Sequence, residues 1–98
     1  MDRHGHELLI PDRAARDRSA REILRAWACG GKLHISIDTG VSDDPFAWGL
    51  VLVDLAKHVA NAYDQSGRMQ SAAVLERIKQ NFDAKLAKAM RARRKLQS

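Results

Sequence analysis

The alternation of apolar and polar side chains across residues 24–37 predicts a β-hairpin. Gly30 and Gly31 stand at its centre, and glycine adopts the positive φ angles of a two-residue turn without steric cost. With this turn, one face is entirely apolar and contains Leu24, Ala26, Ala28, Leu33, Ile35 and Ile37. The other face is mostly polar and contains Arg25, Trp27, Cys29, Lys32, His34 and Ser36. Such a separation is typical of a half-buried antiparallel pair, and it is favoured over the alternative of one helix from Arg13 through Trp27.

A helix is predicted to follow the turn-rich segment at residues 38–49. Asp43 or Asp44 is placed to cap it, Pro45 suits its first turn, and Gly67 ends it. At about 100° per residue, one broad arc of this helix is apolar. That arc contains Trp48, Val51, Leu52, Leu55, Val59, Ala62 and Tyr63.

A second helix is predicted from about Met69 to Arg91. Its buried stripe is expected to contain Val74, Leu75, Ile78, Phe82, Leu86 and Ala89. A connection of about three residues makes the two helices antiparallel neighbours.

The predicted fold class is therefore α+β, with an antiparallel β-hairpin packed on two antiparallel α-helices. Residues 1–20 form a polar arm, residues 21–90 the ββαα domain, and residues 91–98 a basic tail that continues the second helix. Within the arm, Leu8-Leu9-Ile10 is expected to be a third, edge strand or a packed segment, and Asp12 to Ala20 a short helix.

The distribution of charge and the cysteine content limit the cellular compartments and the binding surfaces that the sequence predicts. The 98 residues carry a net charge of +5, and four of these positive charges lie in the tail, which leaves the rest of the chain nearly neutral. A single cysteine, Cys29, excludes an internal disulfide and suits a reducing compartment. With neither a signal-peptide pattern nor an apolar run long enough to span a bilayer, the sequence predicts a soluble, cytoplasmic protein without a membrane span.

No residue pattern indicates a catalytic or metal site. The four histidines, His4, His6, His34 and His58, lack metal-ligand spacing, so no metal and no cofactor is expected. Asp54 and His58 lie four residues apart on one helix face, where an exposed ion pair is the simpler interpretation than a general base. An enzyme built on this pair or on Asp44 is the least favoured hypothesis.

Two surfaces are candidates for binding. The polar hairpin face places Trp27 among Arg25, Lys32 and His34, where it would anchor a protein interface or be covered by residues 8–10. The tail contains Arg91, Arg93, Arg94 and Lys95, which would contact phosphates of a nucleic acid or an anionic membrane surface, or serve only as a solvated helix end.

The segments EILRAWACGGKLHISI and DDPFAWGLVLVDLAKHVANAY resemble a family of short bacterial proteins known only as a domain of unknown function. The resemblance covers roughly Glu7 to Phe82 and leaves the extension beyond Met90 outside. It implies the hairpin-plus-helices fold and a bacterial cytosol, and no activity or site residue. The favoured hypothesis is a non-catalytic accessory or protein-interaction domain that binds a protein partner or itself as a homodimer; nucleic-acid binding through the tail is the alternative.

Overall fold

The structure is a computed structural model that describes residues 7–97, with side chains through Lys95. Its helices and strands are α1 (Asp12–Arg16), β1 (Leu24–Cys29), β2 (Lys32–Ile37), α2 (Phe46–Gln65) and α3 (Ser71–Gln97), with a 3₁₀ turn at Thr39–Val41. The predicted α+β class is confirmed. Contacts divide the chain after Asp43 into two compact units.

The first unit contains the hairpin in the predicted register. The two strands are antiparallel, and all six predicted pairs occur, from Leu24 opposite Ile37 to Cys29 opposite Lys32. Gly30 and Gly31 form the turn with φ angles of 58° and 78°. The alternative of a helix through Trp27 is wrong, because the period-two pattern outweighs moderate helix propensity. The apolar side chains of β2 nevertheless expose more than half of their surface, so the expected burial does not hold for this strand.

The segment before the hairpin is less regular than predicted. The short helix ends at Arg16, before the predicted Ala20, because Asp17 turns the chain by accepting hydrogen bonds from the backbone and hydroxyl of Ser19 at 2.9 and 2.7 Å. These bonds lower the pKa of Asp17. The predicted third strand at Leu8-Leu9-Ile10 is wrong: within residues 7–97 the sheet has two strands, and Pro11, which lacks an N–H, follows this exposed segment directly.

In the second unit, α2 begins and ends on the predicted signals. The Asp44 carboxylate accepts a hydrogen bond from the Phe46 backbone at 3.0 Å, and Pro45 already has helical dihedral angles. At the other end Gly67 has φ of 75°, and its N–H and that of Arg68 bond back to the carbonyl groups of Asp64 and Tyr63. This is a Schellman motif, which satisfies carbonyl groups that the helix leaves open.

The two helices form an antiparallel pair with a narrow seam. The N–H of Ser71 donates to the Asp64 carboxylate at 3.0 Å, which caps α3 and fixes the level of one helix against the other. Next to this cap, Ala60 and Val74 are 1% and 5% exposed, and they are the buried apolar residues of the described chain.

The buried stripe predicted for α3 is only partly correct. Val74 is buried and Ile78 is partly covered, whereas Leu75, Phe82 and Leu86 are exposed. Two helices alone cover only the seam between them, so apolar residues beside the seam stay open to solvent within this unit.

Candidate interaction surfaces

The polar face of the hairpin brings together the four residues proposed from the sequence. Trp27 lies opposite His34, and Lys32 and Arg25 occupy neighbouring positions on the same face of the pair. The Arg25 guanidinium lies 3.0 Å from the Glu22 carboxylate and 3.5 Å from that of Glu7. The hydrogen bond to Glu22, followed by the negative charges of Glu22 and Glu7, raises the pKa of Arg25.

Trp27 itself is a weaker anchor than the sequence indicated. Its side chain is only partly exposed. The proposed cover by residues 8–10 is wrong, since Leu8, Leu9 and Ile10 are largely exposed. The four residues therefore share a face as predicted, while their role as an interface remains a prediction.

The basic tail belongs to a helical extension. α3 has 27 residues and α2 has 20, so about 10 Å of α3 extends past the start of α2. Arg91, Arg93, Arg94 and Lys95 are exposed on this extension. Lys88, which the sequence analysis left out, lies with Arg91 and Lys95 on one arc at about 100° per residue, whereas Arg93 points to the opposite side.

A third surface was missed by the sequence analysis, and we name it the helix patch. Its six residues are apolar and lie beside the α2–α3 seam: Phe46, Leu50, Val53, Phe82, Leu86 and Met90. The angular position of each residue can be measured around its helix axis, starting from Ala60 on α2 and from Val74 on α3. Measured in this way, all six residues are rotated in the same direction by less than 180°. Because the helices are antiparallel, this places both sets on the same side of the pair.

The residues of the helix patch lie at matching levels of the two helices and are open to solvent. The hydrogen bond between Ser71 and Asp64 fixes the shift of α3 along the axis of α2. With this shift, Val53 lies beside Phe82, and the first turn of α2 lies beside Met90. The six side chains are between 46% and 87% exposed. A shallow depression of about 980 Å³ along the middle of α3 includes Phe82 and Leu86. The spacing of residues 46, 50 and 53 is a helical repeat, so the signal was present in the sequence beside the stronger apolar arc.

The candidate chemical residues do not assemble into a site within residues 7–97. No cluster of three histidine, cysteine or acidic side chains suited to a metal ion occurs in that range. Asp54 and His58 are both exposed, and the Asp44 carboxylate caps α2. His4 and His6 lie outside the described residues.

Comparison with known proteins places the chain in a family. Residues 7–90 match the family described as "Domain of unknown function (DUF5076)". The chain belongs to this family. The resemblance seen in the sequence is thus confirmed, and the DUF5076 match extends beyond Phe82 to Met90.

A solved structure shares the fold of this DUF5076 chain. It is titled "Structure of a putative pyruvate dehydrogenase" from the photosynthetic bacterium Rhodopseudomonas palustrus. The two sequences are 34% identical, the alignment covers 85% of this chain and 84% of the other, and the TM-score is 0.67. No curated protein matches the chain.

The DUF5076 match includes two of the three candidate surfaces and excludes the basic tail. The polar hairpin face and all six residues of the helix patch lie inside residues 7–90. Arg91, Arg93, Arg94 and Lys95 lie outside it. No helix in the described chain is both long and apolar enough to cross a membrane.

Proposed function

We propose that this DUF5076 chain is a small non-catalytic protein-interaction domain that binds its partner through the helix patch. The observation that carries the proposal is the exposure of six large apolar side chains on one side of the helix pair. Their exposed fractions correspond to about 500 Å² of apolar surface, which lies within the roughly 300–600 Å² of the largest apolar patch on a typical monomer, a patch that is often functional.

The helix patch is a better binding surface than the polar hairpin face. Arg25 already has two carboxylate partners and Trp27 is partly covered, so a partner would gain little new contact area there. On the helix patch, Phe46 and Leu50 expose most of their surface. Burial of such side chains releases roughly 25 cal/mol for each Å² removed from water.

The non-catalytic part of the proposal is supported by the polar groups. The described residues contain no buried polar or charged side chain. Enzyme active sites usually hold polar groups in enclosed pockets, where burial changes their pKa values. The pyruvate dehydrogenase title describes the similar structure, and no activity is carried over from it to this chain.

A photocrosslinking experiment in cells tests the proposed surface. A photoreactive amino acid replaces Leu86, and a matched control replaces Ala87, which is exposed and turned about 100° around the same helix. We expect a discrete protein adduct from position 86 and none from position 87. Equal adducts from both positions, or none from either, would overturn the proposed surface; pyruvate-dependent reduction of an electron acceptor by the purified chain would overturn its non-catalytic nature.

Nucleic-acid binding is a second candidate function, favoured by the charge of α3. No acidic residue follows Asp83, and six lysine and arginine residues do. Lys88, Arg91 and Lys95 share one arc of the helix, from which they can reach neighbouring phosphates.

The salt dependence of binding tests this second candidate. If the tail residues on one side of α3, Arg91, Arg94 and Lys95, contact phosphates of duplex DNA, they give a slope of log K against log salt of about −2.7. Replacement of Arg91, Arg93, Arg94 and Lys95 by glutamine should then remove this slope together with most of the binding, as measured by fluorescence anisotropy. Unchanged binding by the quadruple variant would reject the role of the tail.

A further inference from the structure

We infer that the partner on the helix patch is a second copy of this chain, docked with the two α3 helices antiparallel and crossing at Leu86. This inference rests on the proposed function and names its partner. Three features carry it: the symmetry of the patch, the charge distribution along α3, and the area of the patch.

The helix patch is self-complementary about its centre. On α3, Phe82 and Met90 each lie four residues from Leu86. A twofold axis through Leu86 therefore places Phe82 of one copy opposite Met90 of the other, and Leu86 opposite itself. On α2, Phe46 and Val53 flank Leu50 in a similar way at the same level. Two helix pairs joined in this manner form a four-helix bundle with an isologous interface.

The charges along α3 favour the antiparallel arrangement over the parallel one. Residues 71–83 have no net charge, since Glu76 and Asp83 balance Arg77 and Lys79. Residues 84–97 contain six basic side chains and no acid. A parallel dimer would place the two basic segments side by side, whereas the antiparallel dimer places residues 89–97 beside residues 75–83 of the other copy, which contain Glu76 and Asp83 and carry no net charge.

An ion pair lies at the rim of the helix patch, as is usual around the apolar centre of an interface. The Lys79 ammonium lies 2.7 Å from the Asp83 carboxylate, and this hydrogen bond raises the pKa of Lys79. Lys79 is thus an ion-paired residue at the edge of the apolar centre, as in interfaces with a polar rim.

The area also fits a dimer. A stable interface buries about 800 Å² on each partner, of which roughly 60% is nonpolar. The helix patch offers about 500 Å² of apolar surface per chain, which meets this requirement.

Mass measurement tests the dimer. By sedimentation equilibrium the unchanged protein should have twice the 11.0 kDa mass of the chain. Leu86→Glu should raise the dimer dissociation constant at least about 100-fold, since two charges enter the centre of the interface. The matched variant Ala87→Glu should leave it within about threefold, and circular dichroism at 222 nm verifies that both variants remain helical.

Disulfide trapping in a Cys29→Ser background tests the antiparallel crossing without relying on a disruptive variant. Oxidation should join two copies of Leu86→Cys. Met90→Cys alone should not crosslink, since the two sulfurs would lie about 12 Å or more apart, but it should crosslink when mixed with Phe82→Cys. Self-crosslinking of Met90→Cys with equal efficiency would overturn the antiparallel geometry.

These results separate the inference from the proposed function. A monomeric protein whose position 86 still crosslinks to a different protein in cells would overturn the second copy as partner and keep the interaction surface. A monomeric protein without any adduct at position 86 would overturn both. A dimer that Leu86→Glu and Ala87→Glu disrupt equally would place the interface elsewhere.

Discussion

Replacing Ala60 by aspartate is expected to lower the free energy of unfolding of the α2–α3 pair by about 3–5 kcal/mol. Ala60 is 1% exposed and lies in the apolar seam next to Val74. A carboxylate there would lose its hydration without gaining an ionic partner, and the larger side chain would also separate the two helices. Urea unfolding at one fixed protein concentration, followed by circular dichroism at 222 nm, measures the change.

Ala62→Asp is the matched control for Ala60→Asp. It introduces the same carboxylate into the same helix two residues later, at a position that is exposed in the structure. We expect it to change the free energy of unfolding by less than about 0.5 kcal/mol, as most surface substitutions do. The sequence pattern placed Ala62, and not Ala60, on the apolar arc, so equal destabilisation by the two variants would contradict the observed seam.

Replacing Gly30 by valine is expected to destabilise the hairpin by about 1–3 kcal/mol. Gly30 has φ of 58°, a left-handed conformation that a β-branched residue rarely adopts. Nothing lies within 4 Å of a Cβ atom built at this position, so the cost is conformational and not steric crowding by neighbours. In a Trp48→Phe background, Trp27 is the sole tryptophan, and its fluorescence during urea unfolding reports on the hairpin.

Gly30→Asn is the control for the valine variant. Asparagine enters the left-handed region more easily than other non-glycine residues, and it is common in two-residue hairpin turns. We therefore expect a much smaller loss of stability than with valine. Similar losses for the two variants would show that the turn does not depend on its backbone conformation.

The local elements could be predicted from the sequence because their signals are local. The hairpin register follows from Gly30 and Gly31 and from alternation over six residues, and each of these restricts the backbone directly. The limits of α2 likewise follow from Asp44, Pro45 and Gly67, which act within one turn of the helix.

Burial could not be predicted as well, because it depends on what lies beside each element. An apolar stripe shows that a helix surface can be buried, but it does not identify the element that buries it. Thus the apolar stripe of α3 predicts that Phe82 and Leu86 are interior, although Val74 is the residue of that stripe that is buried. The helix patch was missed for the same reason, since it arises only when the second stripe of α2 is aligned with α3.

The part of α3 that extends beyond the start of α2 is destabilised by repulsion between its own basic side chains. Arg91 and Lys95 lie four residues apart on one face, where like charges oppose helix formation. No acidic side chain follows Asp83 in the sequence. We therefore expect a rise in ionic strength, or a bound polyanion, to weaken this repulsion and to stabilise the last turns of α3.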